Sequence, residues 1–127
     1  MPKRILSISY DESLLTTRHM ILQEAGFRVT SVLGFLDAIG ACEKEPFDLI
    51  IVGHSIPGSD KKALLEKLKK RCPQAPVLGL RRLGQPAMEG MDYTIEAEEG
   101  PAALIAIVQK AVEEKRKPAS PKSIQQK

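Results

Sequence analysis

Three residues with little in common end an unbroken β-prone run. Leu49 to Val52 lead into Gly53, His54 and Ser55, and Ile56-Pro57-Gly58 follows. The His54 imidazole could accept a phosphoryl group or bind a metal. No second His, Cys or acid stands at ligand spacing from it, and His19 falls on the polar face of an earlier helix, so no metal site is expected. A second candidate is cationic. Lys61, Lys62, Lys67, Lys69, Lys70 and Arg71 crowd one segment, and Arg81-Arg82 end another. Such a face attracts phosphates, and Arg81, Arg82, Lys61 and Lys62 could form an anion-binding edge. A charge run on one helix is also what a solvated face looks like. There is no helix-turn-helix pattern and no set of stacking aromatics, so nucleic acid is not the expected partner. No nucleophile–base arrangement occurs, and neither GxGxxG nor GxxxxGK[ST] is present. These patterns point away from an enzyme and from a bound cofactor.

The charge balance supports this. The chain has 127 residues and a formal net charge of +3, but residues 115–127 hold five Lys/Arg and no acid. Residues 1–114 therefore carry fourteen bases against sixteen acids, a net of −2. One domain over 1–114 and a disordered basic tail over 115–127 are expected. The tail is polar and broken by prolines. No apolar run nears the ~20 residues that span a membrane, and no signal peptide is evident, so the expected location is cytoplasmic. Cys42 and Cys72, far apart in sequence and without partner ligands, read as two separate buried or half-buried thiols in a reducing compartment.

The elements that must position these residues follow from pattern. Lys3 to Ser9 is a short β-prone run. Asp11 or Ser13 can cap a helix over Leu14 to Ala25, with Leu14, Leu15, Ile21, Leu22 and Ala25 inward and Gly26 as its stop. Phe27 to Val32 is a second strand, and a weak helix follows from Phe35 to Glu43. Leu49 to Val52, apolar on both faces, reads as a central parallel strand. Asp60 can cap a helix running to Arg71, with Leu64, Leu65 and Leu68 inward and the lysines outward. Val77 to Leu80 is a fourth strand and Asp92 to Ile95 a fifth. Leu83 to Met91, with two glycines and a proline, is a poor helix. Gly100-Pro101 opens the last helix. Repeated βα units imply an α/β fold, a flavodoxin-like three-layer α/β/α sandwich on a five-stranded parallel sheet, with the fourth helix shortened or missing.

The stretch DLIIV-x-x-x-IPG (Asp48 to Gly58) resembles the receiver domain of two-component response regulators. So do the opening RIL, the AGF at Ala25 to Phe27, the APVL at Ala75 to Leu78, and the Asp92-Tyr93 pair. The likeness covers residues 3 to about 114. It implies a site made of a phosphoacceptor aspartate, two acids that hold Mg²⁺, a Thr/Ser and a lysine. Carried over position by position, the acceptor is Gly53. The acidic pair falls on Ser9 and Tyr10, with Asp11 and Glu12 just beyond, so that a slip of one or two residues would restore part of a metal site. The Thr/Ser position is Arg81 and the lysine position is Glu96. Tyr93 matches the switch aromatic, or else is a half-buried strand tyrosine. The interval from Arg81 to Glu96 is fifteen residues, shorter than the family pattern by about two helical turns.

The resemblance thus implies a pseudo-receiver, a signalling module of the two-component or phosphorelay class that is not phosphorylated on aspartate. It would work through protein–protein contacts with a histidine kinase, a response regulator or another signalling protein. Two other readings stay open: the anion- or nucleic-acid-binding module above, and a receiver in which His54 or Asp11 takes the acceptor's part. Arg81 and Glu96 should end adjacent strands, either as an ion pair plugging the vacated site or as two solvated charges. The oligomeric state is open.

Overall fold

A strand of four fully buried residues needs cover on both faces, and the rest of the architecture supplies it. The computed structural model describes residues 2–85 and 89–116. Five strands, β1 (Arg4–Ser9), β2 (Arg28–Leu33), β3 (Leu49–Val52), β4 (Val77–Arg81) and β5 (Tyr93–Glu96), form one sheet in the order β2-β1-β3-β4-β5. Every pairing is parallel. The helices are α1 (Glu12–Glu24), α2 (Phe35–Lys44), α3 (Gly58–Arg71) and α4 (Pro101–Arg116). This is the expected flavodoxin-like sandwich. Among the described residues no helix lies between β4 and β5. No described helix is long and apolar enough to cross a membrane.

Alternation along the strands divides the core. Leu6, Ile8, Ile50 and Val52 point to the face covered by α2 and α3, through Ala38, Cys42, Leu64 and Leu68. Ile5, Leu49, Ile51 and Leu78 point to the face covered by α1 and α4, through Leu22, Leu104, Val108 and Ala111. Each such aliphatic side chain contributes roughly 1.5–3 kcal/mol when taken fully out of water, so these two clusters hold the sheet.

Polar groups set the ends of the elements. Asp11 caps α1, its Oδ1 accepting from the Leu14 N–H at 3.0 Å. Gly26, at φ 99°, ends that helix. Its N–H reaches the Gln23 carbonyl at 3.0 Å and the Phe27 N–H reaches that of Leu22 at 3.2 Å, which is the Schellman pattern. A repeated device starts the strands. The Asp48 carboxylate accepts from the Arg4 N–H at 2.8 Å while the Asp48 N–H donates to the Arg4 carbonyl at 2.8 Å. Asp92 does the same to Val77, at 2.8 and 2.9 Å. The aspartates of the DLIIV and Asp92-Tyr93 motifs thus bracket the start of a neighbouring strand.

Several expectations need correcting. Asp60 does not cap α3. The helix begins two residues earlier, after an extended Pro57, and Asp60 lies in its first turn. Lys61 does not face out. The first turn of α3 lies over the ends of the strands, Lys61 is buried, and its Nζ donates to the Leu80 carbonyl at 3.3 Å. Lys62, Lys67, Lys69, Lys70 and Arg71 are exposed as expected. α4 runs to Arg116, two residues beyond the expected boundary at 114, and the rest of the 115–127 tail lies outside the described residues. Cys42 and Cys72 are not separate thiols. The last turns of α2 and α3 lie side by side, the two Cα atoms are 6.1 Å apart, and the sulfurs form a disulfide. An Arg71–Glu43 ion pair joins the same two helix ends.

The disulfide closes a loop of 30 residues. Chain-entropy arguments give such a link about 2–4 kcal/mol. Reduction, or Cys72→Ser, is therefore expected to lower the unfolding free energy by roughly that amount in denaturant titrations. An unchanged midpoint would show the sulfurs to be unbonded in solution.

Candidate functional site

The carboxyl ends of β1, β3, β4 and β5 form one edge of the sheet, and open α/β sheets bind ligands at that edge. Gly53 follows β3 there, fully enclosed. Its N–H donates to the Ile8 carbonyl at 3.0 Å. A Cβ at this position would lie 3.0 Å from the same carbonyl oxygen and 3.3 and 3.5 Å from Nη1 and Nη2 of Arg18. The strand ends are pressed together, and the space above Gly53 holds a guanidinium.

Arg18 is the residue that sequence reading missed. It stands four positions after Leu14 and four before Leu22, so α1 carries it on its buried stripe. That spacing was the available signal: a cation interrupting an apolar face. Arg18 is 6% exposed, and its Nη1 has no hydrogen-bond partner among the described residues. Burial pushes its pKa below the usual arginine value, yet arginine stays protonated in proteins. Lys61 is the second buried cation, its pKa also lowered by burial. Among the described residues its side chain bonds to the neutral Leu80 carbonyl. His54 is half-buried. Burial, then the charges of Arg82, Arg18 and Lys61 against the opposing Glu98, hold it below the ordinary histidine value. The edge is positive in character.

The residues at the expected acidic positions are occupied otherwise. Ser9 is buried at the end of β1. Its Oγ meets Ser55 Oγ at 3.1 Å and accepts from the Asp11 N–H at 3.0 Å. The Tyr10 N–H donates to Ser55 Oγ at 3.1 Å, and the Tyr10 hydroxyl donates to Asp60 at 3.1 Å. Asp11 is spent on the cap of α1, and Glu12 is exposed in its first turn. The register slip considered above therefore brings no acids together. Among the described residues no three His, Cys, Asp or Glu side chains are grouped to hold a metal. His19 lies away from this edge, bonded through Nδ1 to Ser31 Oγ at 2.7 Å.

Arg81 and Glu96 are register partners at the ends of β4 and β5, with Nη2 3.5 Å from Oε2. Their side chains are about a third exposed, and they do not plug the site. A cavity of about 250 Å³ remains open between α1 and α4, with Arg18, His54 and Glu96 in its walls. Arg82 is exposed and its N–H is taken by Gln85 Oε1 at 2.8 Å. Lys62 is exposed while Lys61 is buried, so the four proposed anion-binding cations do not share one surface. Tyr93 starts β5 at the opposite end of that strand, and its hydroxyl donates to Glu114 of α4. Of the interval 83–91, residues 86–88 lie outside the described residues. The flanking turn is tied down by the Leu83 N–H, which donates to Glu98 Oε1 at 3.0 Å.

No protein-family model matches the chain, and no curated protein matches it. Solved structures do. A CheY-like response regulator receiver domain protein from Methanospirillum hungatei aligns at TM-score 0.80 and 24% identity, over 91% of this chain and 97% of that one. The receiver domain of a sensor histidine kinase from Pseudomonas aeruginosa, solved with magnesium in its active-site cleft, aligns at TM-score 0.79 and 19% identity, over 89% and 99%. A Rhodopirellula baltica protein described as an adenylate cyclase aligns at TM-score 0.80 and 23% identity, over 91% and 90%. At these identities the likeness is one of fold: this chain folds as receiver domains do.

Two outcomes follow from this geometry. Gly53→Ala should cost about 1–3 kcal/mol of stability, because the methyl meets a strand carbonyl that is itself hydrogen-bonded and cannot yield. Urea titration of the two proteins measures it, and equal midpoints would show that the strand ends are loosely packed. Burial, the bond to Glu114 and the nearby Asp92 push the Tyr93 phenol up to about 12 from 10.0. The unfolded chain therefore loses this proton first. The stability from this group is complete below pH 10 and is lost as pH rises towards about 12. Tyr93→Phe should flatten that decline in melts taken across the window, and an unaltered slope would assign it to other groups.

Proposed function

We propose that the protein is a receiver-like signalling module of the two-component class that takes no phosphoryl group on aspartate. It acts by binding other proteins. The observation that carries this reading is the pairing of Gly53 with Arg18. The acceptor position has no nucleophile, and the volume a carboxylate would need is filled by a cation. The positions for metal-holding acids support it, since Ser9 and Tyr10 are tied to Ser55 and Asp60. A Mg²⁺ beside Arg18 and Lys61 would meet like charge instead of hard oxygen ligands. The partner class is a histidine kinase, a response regulator or another signalling protein, and the protein is not an enzyme. A cytoplasmic location fits this role.

The nucleic-acid alternative draws less support. Lys61 is buried and withdrawn from the basic face, and Lys69 and Arg71 face the acids Asp92 and Glu43. The reading is tested by intact mass after incubation with acetyl phosphate and Mg²⁺, with peptide mapping of any adduct. No phosphoryl adduct is expected. A stoichiometric adduct would overturn the proposal, and the mapped residue, His54 or Asp11 included, would become the acceptor.

A further inference from the structure

A buried, unpaired guanidinium normally calls for an anion. Arg18 has none: no ion pair among the described residues includes it, and its Nη1 makes no hydrogen bond. It lines the cavity of about 250 Å³ between α1 and α4. Three further observations describe what would fit there. The other walls are mostly apolar, from Leu14, Ile21, Leu80, Ile95 and Leu104. Gly100 and Pro101 bring the N-terminal end of the long helix α4 to the cavity, and that end carries partial positive charge. Glu96 also lines the cavity, but its carboxylate is engaged by Arg81.

We propose that this cavity binds a small amphiphilic carboxylate, with its carboxylate on Arg18 and its apolar body between α1 and α4. A guanidinium offers paired donors that match a carboxylate. One unit of negative charge balances Arg18, whereas a phosphate dianion would have to approach Glu96. An apolar body replaces water against the aliphatic walls and gains the usual burial energy. The site lies where receiver-type sheets open, and it offers an unpaired guanidinium there. The inference goes beyond the signalling reading and does not rest on it. A chain phosphorylated elsewhere would still hold Arg18 unpaired.

The test uses the whole chain, with hexanoate as the probe, hexanamide as its neutral counterpart and inorganic phosphate at matched ionic strength. Calorimetric titration and thermal melts should show saturable binding and a rise in melting temperature for hexanoate alone. Arg18→Met should weaken hexanoate about tenfold or more, the loss expected for charge-assisted hydrogen bonds. Thr17→Glu is the second variant, useful should Arg18→Met fold poorly. Thr17 is exposed at the cavity wall, and a carboxylate tethered there should compete with hexanoate and weaken it similarly. Equal effects of all three probes, binding of phosphate alone, binding that survives in both variants, or no hexanoate binding at millimolar concentration would each overturn the proposal.

Discussion

The close approach of β1 and β3 at Gly53 governs this edge of the molecule. The Ile8 carbonyl accepts from the Gly53 N–H at 3.0 Å and would lie at the same distance from any Cβ there. Glycine is the residue that lets the two strand ends meet so closely, and its missing side chain leaves room for a group from another element. α1 fills that room with Arg18. An unpaired charge in such a place costs several kcal/mol even after relaxation. The aliphatic stem of the arginine recovers part of this by lying along apolar surface. The remainder is carried by the two aliphatic clusters on either face of the sheet. A side chain retained against such a cost is a stronger pointer to ligand chemistry than any exposed lysine on α3.

The acids tell the complementary story. Asp11 caps a helix, Asp48 and Asp92 bracket the starts of β1 and β4, Asp60 holds Tyr10, and Glu96 faces Arg81. Each of these carboxylates has a structural partner. Two cations, Arg18 and Lys61, are buried near this edge, while these acids are committed to backbone and side-chain donors. His54 registers the result, because burial and then the nearby cations hold its proton less tightly than in water.

Much of this was legible in the sequence, for definite reasons. The all-apolar run Leu49 to Val52 could only be a strand covered on both faces, and the βα alternation then left few topologies. The Asp11 cap and the Gly26 stop were read from residue type alone. The short interval from Arg81 to Glu96 pointed to a shortened or missing helix, and among the described residues none lies between β4 and β5. What was hidden depended on tertiary placement. The helical stripe of α1 was read from its aliphatic residues, and Arg18 was passed over because a charge is normally assigned to the wet face. Lys61 was misassigned for the same reason. The disulfide partners are thirty positions apart, and only the side-by-side packing of α2 and α3 brings them together. Asp60 looked like a cap because aspartate favours that position, whereas the fixed, extended Pro57 had already begun the helix.

The separation between core and edge explains how one fold can carry opposite chemistries. The side chains that bind the layers, such as Leu6, Ile50 and Leu64 on one face and Ile5, Ile51 and Val108 on the other, lie within the sheet and its covering helices. The groups that set the site, Gly53, Arg18, Ser9, Arg81 and Glu96, lie at the carboxyl ends of the strands or on the helix face beside them. Gly53 contributes no side chain to either core cluster, and Arg18 stands between the buried Leu15 and Leu22 on α1. Stability and chemistry thus draw on different residues, so the resemblance in fold to receiver domains says little about what this edge binds. The sign and placement of the buried Arg18 say more, because its charge has no partner among the described residues and an anion would supply one.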